Sequence, residues 1–523
     1  MHWRTIRTLF LCNILFCQLT VVAVAELRLP SLFTDHMVLQ RDEPVPVWGW
    51  SDPQATVYVV FAGQTKTTTA DENGRWQVTL DPLSVGDPRS LVVEAKQDRL
   101  EVKDVLVGEV WICSGQSNMQ YALAANADGD LDTLHLPNPN LRYLTVNGVG
   151  TQKTCDDFDG AWETDQPGVR KEFSAIGYHF GNRLQGTLGV PIGLIDHSWG
   201  GSSCEAWVPR EELSGNPLYE PLLKRWDDLV AESDEPAERE KYARIHQDWK
   251  NRMLEAVAAG EPIPNWQRPR HQLLSQKRPS NLYHSRVEPL MPMAFRGVIW
   301  YQGETNASRA EQYRELFPLM IDTWREHWGQ GEFPFYWVQL ADYRAEREHP
   351  SESDWAELRE AQTFTLDRVA NTAQVVIIDA GDGIDVHPSD KQLVGDRLAR
   401  IALTRDYGIE VPYLYPRFVS MEVKEGSIVV ELDNVGGGLK THDKKPVLGF
   451  AIAGEERNWV WAEARITGNK RNKVEVSSDE VPEPVAVRYA WADNPVCNLN
   501  SSHDLPVTPF RTDDWPMVTA GKH

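Results

Sequence analysis

Three short segments carry residue types that together can hydrolyse an ester. Gly115-Gln116-Ser117-Asn118-Met119 follows an apolar run, Val107 to Cys113, and puts a serine on a glycine-assisted turn. At a strand end, such a turn lifts the hydroxyl above the carboxyl edge of a sheet, where α/β sites form. The serine's own N–H can then donate to an oxyanion. Trp300-Tyr301-Gln302-Gly303-Glu304-Thr305-Asn306 ends a second apolar run, and a side-chain amide there can donate to charge developing on a carbonyl oxygen. Asp385-Val386-His387-Pro388 supplies the remaining groups. A serine needs a base to take its proton, imidazole suits neutral pH, and a carboxylate can hold the imidazole in one tautomer. Each segment also has a plain reading as a capping serine, a strand-to-helix loop with Asn306 as cap, and a simple turn. Metal binding by Asp385 and His387 would need further ligands, and no ligand set is evident.

For these segments to meet, each must lie at the same edge of one sheet. The sequence predicts that sheet. Val190 to Asp196, Ala294 to Tyr301, Pro334 to Leu340 and Gln374 to Asp379 are short apolar runs suited to strands buried on both faces. Helical stretches, Ser174 to Leu188, Ala310 to Trp328 and Trp355 to Val369, lie between them. Such alternation argues for a parallel α/β sheet over residues 107–407. Residues 210–281 interrupt it with charged, helix-prone and then Pro-rich sequence. That insertion either covers one side of the site or is a solvated helical pair. Residues 26–106 and 408–523 read as flanking β-rich, sandwich-like regions, with alternating segments such as Thr56 to Phe61, Trp76 to Leu80 and Ser427 to Leu432.

The order of serine, amide donor and late Asp/His is one coherent hydrolase layout. It resembles the sialate O-acetylesterase family, a branch of the SGNH hydrolases. The resemblance lies in Gly115 to Met119, in Trp300 to Asn306 and in Asp385 to Pro388. Phe33 to Arg41, Trp199-Gly200-Gly201-Ser202 and Leu358 to Gln362 extend it. It implies a three-layer, flavodoxin-like SGNH domain in a secreted serine esterase acting on O-acetylated sugars, with sialic acid or an acetylated polysaccharide such as xylan as carrier. By that resemblance Ser117 is the nucleophile, His387 the base and Asp385 its orienting acid. The N–H groups of Ser117 and Gly201 and the Gln302 side chain would form the oxyanion hole. Many SGNH enzymes place the acid three residues before the histidine; Ile384 stands there, so Asp385 or Asp382 must serve. Many also use Asn where this chain has Gln302, which leaves Gln302 or Asn306 to complete the hole. Glu304 is expected to be a structural acceptor for loop N–H groups. Arg286, near Tyr283 and His284, pairs either with a substrate carboxylate or with a surface acid. A non-catalytic carbohydrate-binding protein and a lipid- or thioester-cleaving relative are the competing classes. Intact Ser117 and His387 argue against the first, and the polar insertion against the second.

The rest of the chain sets bounds. Arg4 and Arg7, an apolar run from Leu9 to Val24 and Ala23-Val24-Ala25 compose an export signal over residues 1–25, cleaved near Ala25. A secreted or periplasmic protein follows, with no later span of membrane length. Its 76 acidic against 53 basic residues repel nucleic acid and anionic lipid. Cys113, Cys155, Cys204 and Cys497 are too scattered for a disulfide framework or a zinc site, and Cys113 and Cys204 read as buried fillers. Twenty tryptophans are read as β-domain core or as sugar platforms. The chemistry needs side chains and water, so no cofactor or metal is implied.

Overall fold

Strands apolar on both faces must be covered on both faces, and the chain does this with one large mixed sheet. The computed structural model describes residues 26–233, 235–259 and 271–523; the expected export signal lies outside the described residues. The path through the sheet runs Thr372–Val375, Phe335–Val338, Gly297–Tyr301, Asp98–Gly115, Ile192–Asp196, Leu141–Thr145 and Trp162–Thr164. Neighbours are parallel except the last pair, which is antiparallel. Every residue of Ile192–Asp196, Gly297–Tyr301 and Phe335–Val338 is buried. The expected strand from Gln374 to Asp379 is instead Thr372–Val375, an edge strand whose one neighbour ends at Val338.

Helices begin and end where local chemistry allows. Ser174 Oγ accepts the Gly177 N–H and starts Ala175–Leu188, which Gly189 ends at φ 68°. Ala310–Trp328 stops at Gly329, φ 69°. Left-handed φ at these two positions suits glycine, which has no Cβ to clash. Ser353 caps Asp354–Thr365 in the same way as Ser174. Lys391–Arg405, not anticipated from the sequence, packs on Ala175–Leu188.

Asp98–Gly115 is a single strand of 18 residues. Its first part pairs antiparallel with Arg89–Ala95 in the N-terminal β region, and its second part lies in the central sheet. The serine segment is therefore anchored to both regions. Towards the C-terminus, Ser427–Leu432, Lys473–Ser477 and Ala486–Tyr489 are strands of two four-stranded antiparallel sheets. Several tryptophans lie elsewhere than the sequence suggests. Trp111, Trp207, Trp300, Trp324 and Trp337 are fully buried in and around the central sheet, with Trp207, Trp300 and Trp324 packed edge to face or tilted at 5.6–6.2 Å. The four described cysteines are free thiols. No described helix is long and apolar enough to cross a membrane.

Candidate active site

Gly115 pairs with Tyr301 across adjacent strands, and this register decides where the serine goes. At φ +124° Gly115 turns the chain, and the Gln116 N–H donates to the Tyr301 carbonyl at 2.8 Å. Ser117 follows as the first residue of a short helix, Ser117–Gln120. The neighbouring loop is tied to the same point: the Trp199 N–H donates to the Gly115 carbonyl at 2.9 Å, and Ser202 Oγ to that carbonyl at 3.2 Å. The Gly200 N–H donates to Gln120 Oε1 at 2.9 Å. A Cβ on Gly200 would stand 3.4 Å from Ser117 Cβ, so this loop faces the serine directly. The N–H groups of Ser117 and Gly201 have no acceptor among the described residues.

Residues distant in sequence complete the arrangement. His387 Nε2 lies 2.8 Å from Ser117 Oγ. On its other side, Asp385 Oδ1 accepts the His387 backbone N–H at 2.9 Å and lies 3.1 Å from Nδ1. An imidazole so placed can take the hydroxyl proton while the carboxylate holds its tautomer. The backbone N–H of His387, chiefly, and its ring hold the Asp385 carboxyl below the usual carboxylate range. Asp382 makes a different contact: Oδ1 accepts the N–H groups of Ile384 and Asp385 at 2.8 and 3.3 Å and so shapes the turn.

Ser117, Asp385 and His387 thus meet, with the Gly200-Gly201 loop beside them, but Gln302 does not join them. Its side chain is fully buried, and its amide donates to the Ser202 carbonyl at 3.1 Å and to Asn306 Oδ1 at 2.7 Å. One amide hydrogen goes to the Gly-Gly loop and the other to Asn306, so in this structure neither is left for an oxyanion, in contrast to the expected free donor. Asn306 is equally committed, donating to Glu205 Oε2 and accepting the Cys204 N–H. Arg286 is buried beneath Trp199, 4.5 Å from its ring, with Nη1 donating to the carbonyls of Val146, His197 and Ser198. It steadies the loop from below and does not face the cleft. Burial pushes the Cys113 and Cys204 thiols well above their ordinary range, as suits packing residues.

Beside Trp199 and Gly200 lies a cavity of about 450 Å³, also lined by Val149, Tyr242, Gln272 and Gln276. Tyr242 and Gln276 come from the insertion, which therefore walls the site; residues 260–270 of it lie outside the described residues. Gln276 donates to the Gly200 carbonyl at 3.1 Å. Sequence reasoning passed over Tyr242, Gln276, Asn118 and Lys391. Lys391 carried a signal: it opens the same buried stripe as Val394, Leu398 and Ala402, where an unpaired ammonium is costly. No three His, Cys, Asp or Glu side chains cluster as a metal site among the described residues.

A family model described as carbohydrate esterase, sialic acid-specific acetylesterase, matches residues 107–238 and 242–404. The sialate O-acetylesterase of Mus musculus is 29% identical over 92% of this chain and 94% of its own length. That of Rattus norvegicus is 31% identical over 73% of this chain and 74% of its own. The crystal structure of a carbohydrate acetylesterase from Xanthomonas citri superposes with a TM-score of 0.79 at 37% identity, covering 94% of this chain and all of that one. By the extent of these matches, the chain belongs to the carbohydrate esterase family of sialic acid-specific acetylesterases and is a carboxylic ester hydrolase.

Proposed function

We propose that this protein is an exported serine esterase that removes acetyl groups from a carbohydrate through an acetyl-serine intermediate. The observation that carries the reading is the continuous contact from Ser117 Oγ through the His387 ring to Asp385. Ser117 Oγ attacks the acetyl carbonyl while its proton passes to His387 Nε2. The oxyanion is received by the N–H groups of Ser117 and Gly201. His387 returns the proton to the departing sugar oxygen, leaving acetyl on Ser117. Water then enters, His387 takes its proton, and acetate leaves as Ser117 is protonated again. In this reading residues 107–407 form a three-layer SGNH domain between β-rich regions 26–106 and 408–523, and residues 1–25 direct export.

Asp385 is two-thirds open to solvent, with a side-chain exposure of 61%, so its charge is screened. Asp385→Asn is therefore expected to lower kcat by no more than about tenfold, against the roughly 10⁴-fold cost of removing a buried triad carboxylate. Steady-state acetate release by the variant decides this, and a loss of three orders would show that the carboxylate acts as a buried one does.

The cavity beside Trp199 suits a sugar ring, with Tyr242 as an apolar face and Gln272 and Gln276 for hydroxyls. Tyr242→Ala is expected to raise KM for an acetylated glycan about 3- to 10-fold, with kcat for 4-nitrophenyl acetate unchanged. An unchanged KM would remove Tyr242 from the binding wall. Acetate release from 9-O-acetylated sialic acid and from acetylated xylan tests the reading as a whole. Release from one or both supports it and names the carrier; release from neither, alongside turnover of 4-nitrophenyl acetate, would overturn the carbohydrate assignment.

A further inference from the structure

Beneath the Ser117–His387 pair is a buried group of side chains to which the reaction above gives no role. Asn118 is 1% exposed, and its amide reaches three elements at once. Its Nδ2 donates to Glu304 Oε1 at 2.6 Å and to the Val386 carbonyl at 3.0 Å. Its Oδ1 accepts from Lys391 Nζ at 2.5 Å. Asn118 thus joins the residue after the serine, the residue before the histidine and the Gln302-Gly303-Glu304 loop. The direction of the amide is fixed by chemistry: an ammonium only donates, whereas a carboxylate and a carbonyl only accept.

Lys391 is fully buried, held between the faces of Tyr121 and Tyr301 at 4.8 and 5.7 Å, and Tyr121 stacks along His387. Its backbone N–H is held by Asn126 Oδ1 at 2.9 Å, so the head of the helix does not drift. Glu304, Asp385 and Asp390 are the acids that favour the ammonium, against burial, which pulls it down to about 7. Glu304 is half-buried, its carboxyl enclosed and raised by desolvation, and its Oε2 has no hydrogen-bond partner among the described residues. A lysine amino group and a carboxyl are thus enclosed and linked through one amide. In some proteins such a costly pair is retained because it fixes a geometry.

We propose that Lys391 is a positioning residue for the Ser117–His387 pair, acting through Asn118 to hold the Val386 carbonyl and with it the backbone that carries the imidazole. The inference rests on the assignment of Ser117 and His387 as nucleophile and base. Lys391 touches neither the hydroxyl nor the cleft; it pins the amide, the amide pins Val386, and the next residue is the base.

The test is Lys391→Met, which keeps length and removes the donor, assayed with 4-nitrophenyl acetate alone and combined with Asn118→Ala. The variant should lose about 10- to 100-fold in kcat, as a displacement near 1 Å would cause, with KM within about twofold. In the Asn118→Ala background the same substitution should change kcat by less than about twofold more, because the link is already cut. If Lys391→Met does not fold, Lys391→Met/Glu304→Gln removes both charges together, and the same kcat loss is expected of it. A kcat within twofold of the parent in the folded variant, a loss carried by KM, or losses that multiply with Asn118→Ala would each overturn the proposal. Failure of the esterase reading itself shows separately, as a parent protein whose turnover survives Ser117→Ala.

Discussion

His387→Ala is expected to lower kcat for acetate release by about 10⁴-fold or more, and Ser117→Ala by a similar factor. The imidazole is 2.8 Å from the hydroxyl, and no second base stands within hydrogen-bond distance of Ser117 Oγ among the described residues. Without it the serine must lose its proton to water, and the leaving sugar oxygen has no donor. In the proposed mechanism nucleophile and base act as a unit, so the double variant should be no slower than either single one. Residual catalysis over water would come from the N–H groups of Ser117 and Gly201 and from binding. Steady-state rates of the four proteins on one acetylated substrate give the answer. Losses that multiply would mean that the two residues act separately.

Gly115→Ala is the second large effect, and it reaches the site through the fold. At φ +124° the backbone lies where only glycine is comfortable, and an added Cβ would stand 2.1 Å from the Tyr301 carbonyl oxygen. That oxygen belongs to the paired strand and accepts the Gln116 N–H, so neither strand can yield without breaking the bond next to Ser117. A loss of about 3–5 kcal/mol in stability is expected, the range reserved for named core or backbone faults. In whatever fraction folds, a serine displaced by about 1 Å should turn over about 10²-fold more slowly. Gly186→Ala is the control. A Cβ there meets nothing within 4 Å, and a helical alanine should be neutral or stabilising by up to about 1 kcal/mol. Urea unfolding of both variants reads this directly, and equal stabilities would refute the role given to Gly115.

The contrast between Gly115 and Gln302 shows what a sequence carries. Apolar runs ending at Cys113 and Tyr301 announced two buried strands, and their ends announced the edge where Ser117 stands. Period and turn chemistry are local, so they can be read without coordinates. The helix over Ala310–Trp328 was legible for the same reason. Hydrogen-bond partners are not local. A resemblance placed the Gln302 amide in the oxyanion hole, yet the Ser202 carbonyl and Asn306, brought close only by folding, claim both its hydrogens. Which of Asp385 and Asp382 lies beside the His387 ring was likewise visible only in the fold: Asp385 Oδ1 does, while Asp382 Oδ1 accepts the Ile384 N–H. Lys391 is the clearest case. The helix it opens was not anticipated, and its partner lies 273 residues away.

If Ser117 carries the acetyl group, it can be looked for there. The protein is mixed with an acetylated substrate, quenched in acid within the first turnovers, and the peptide containing Ser117 is weighed by mass spectrometry. Acetyl is expected on Ser117 in a burst that precedes steady acetate release, and none on that peptide in Ser117→Ala. Acetate release with Ser117 never acetylated, or undiminished in Ser117→Ala, would contradict it.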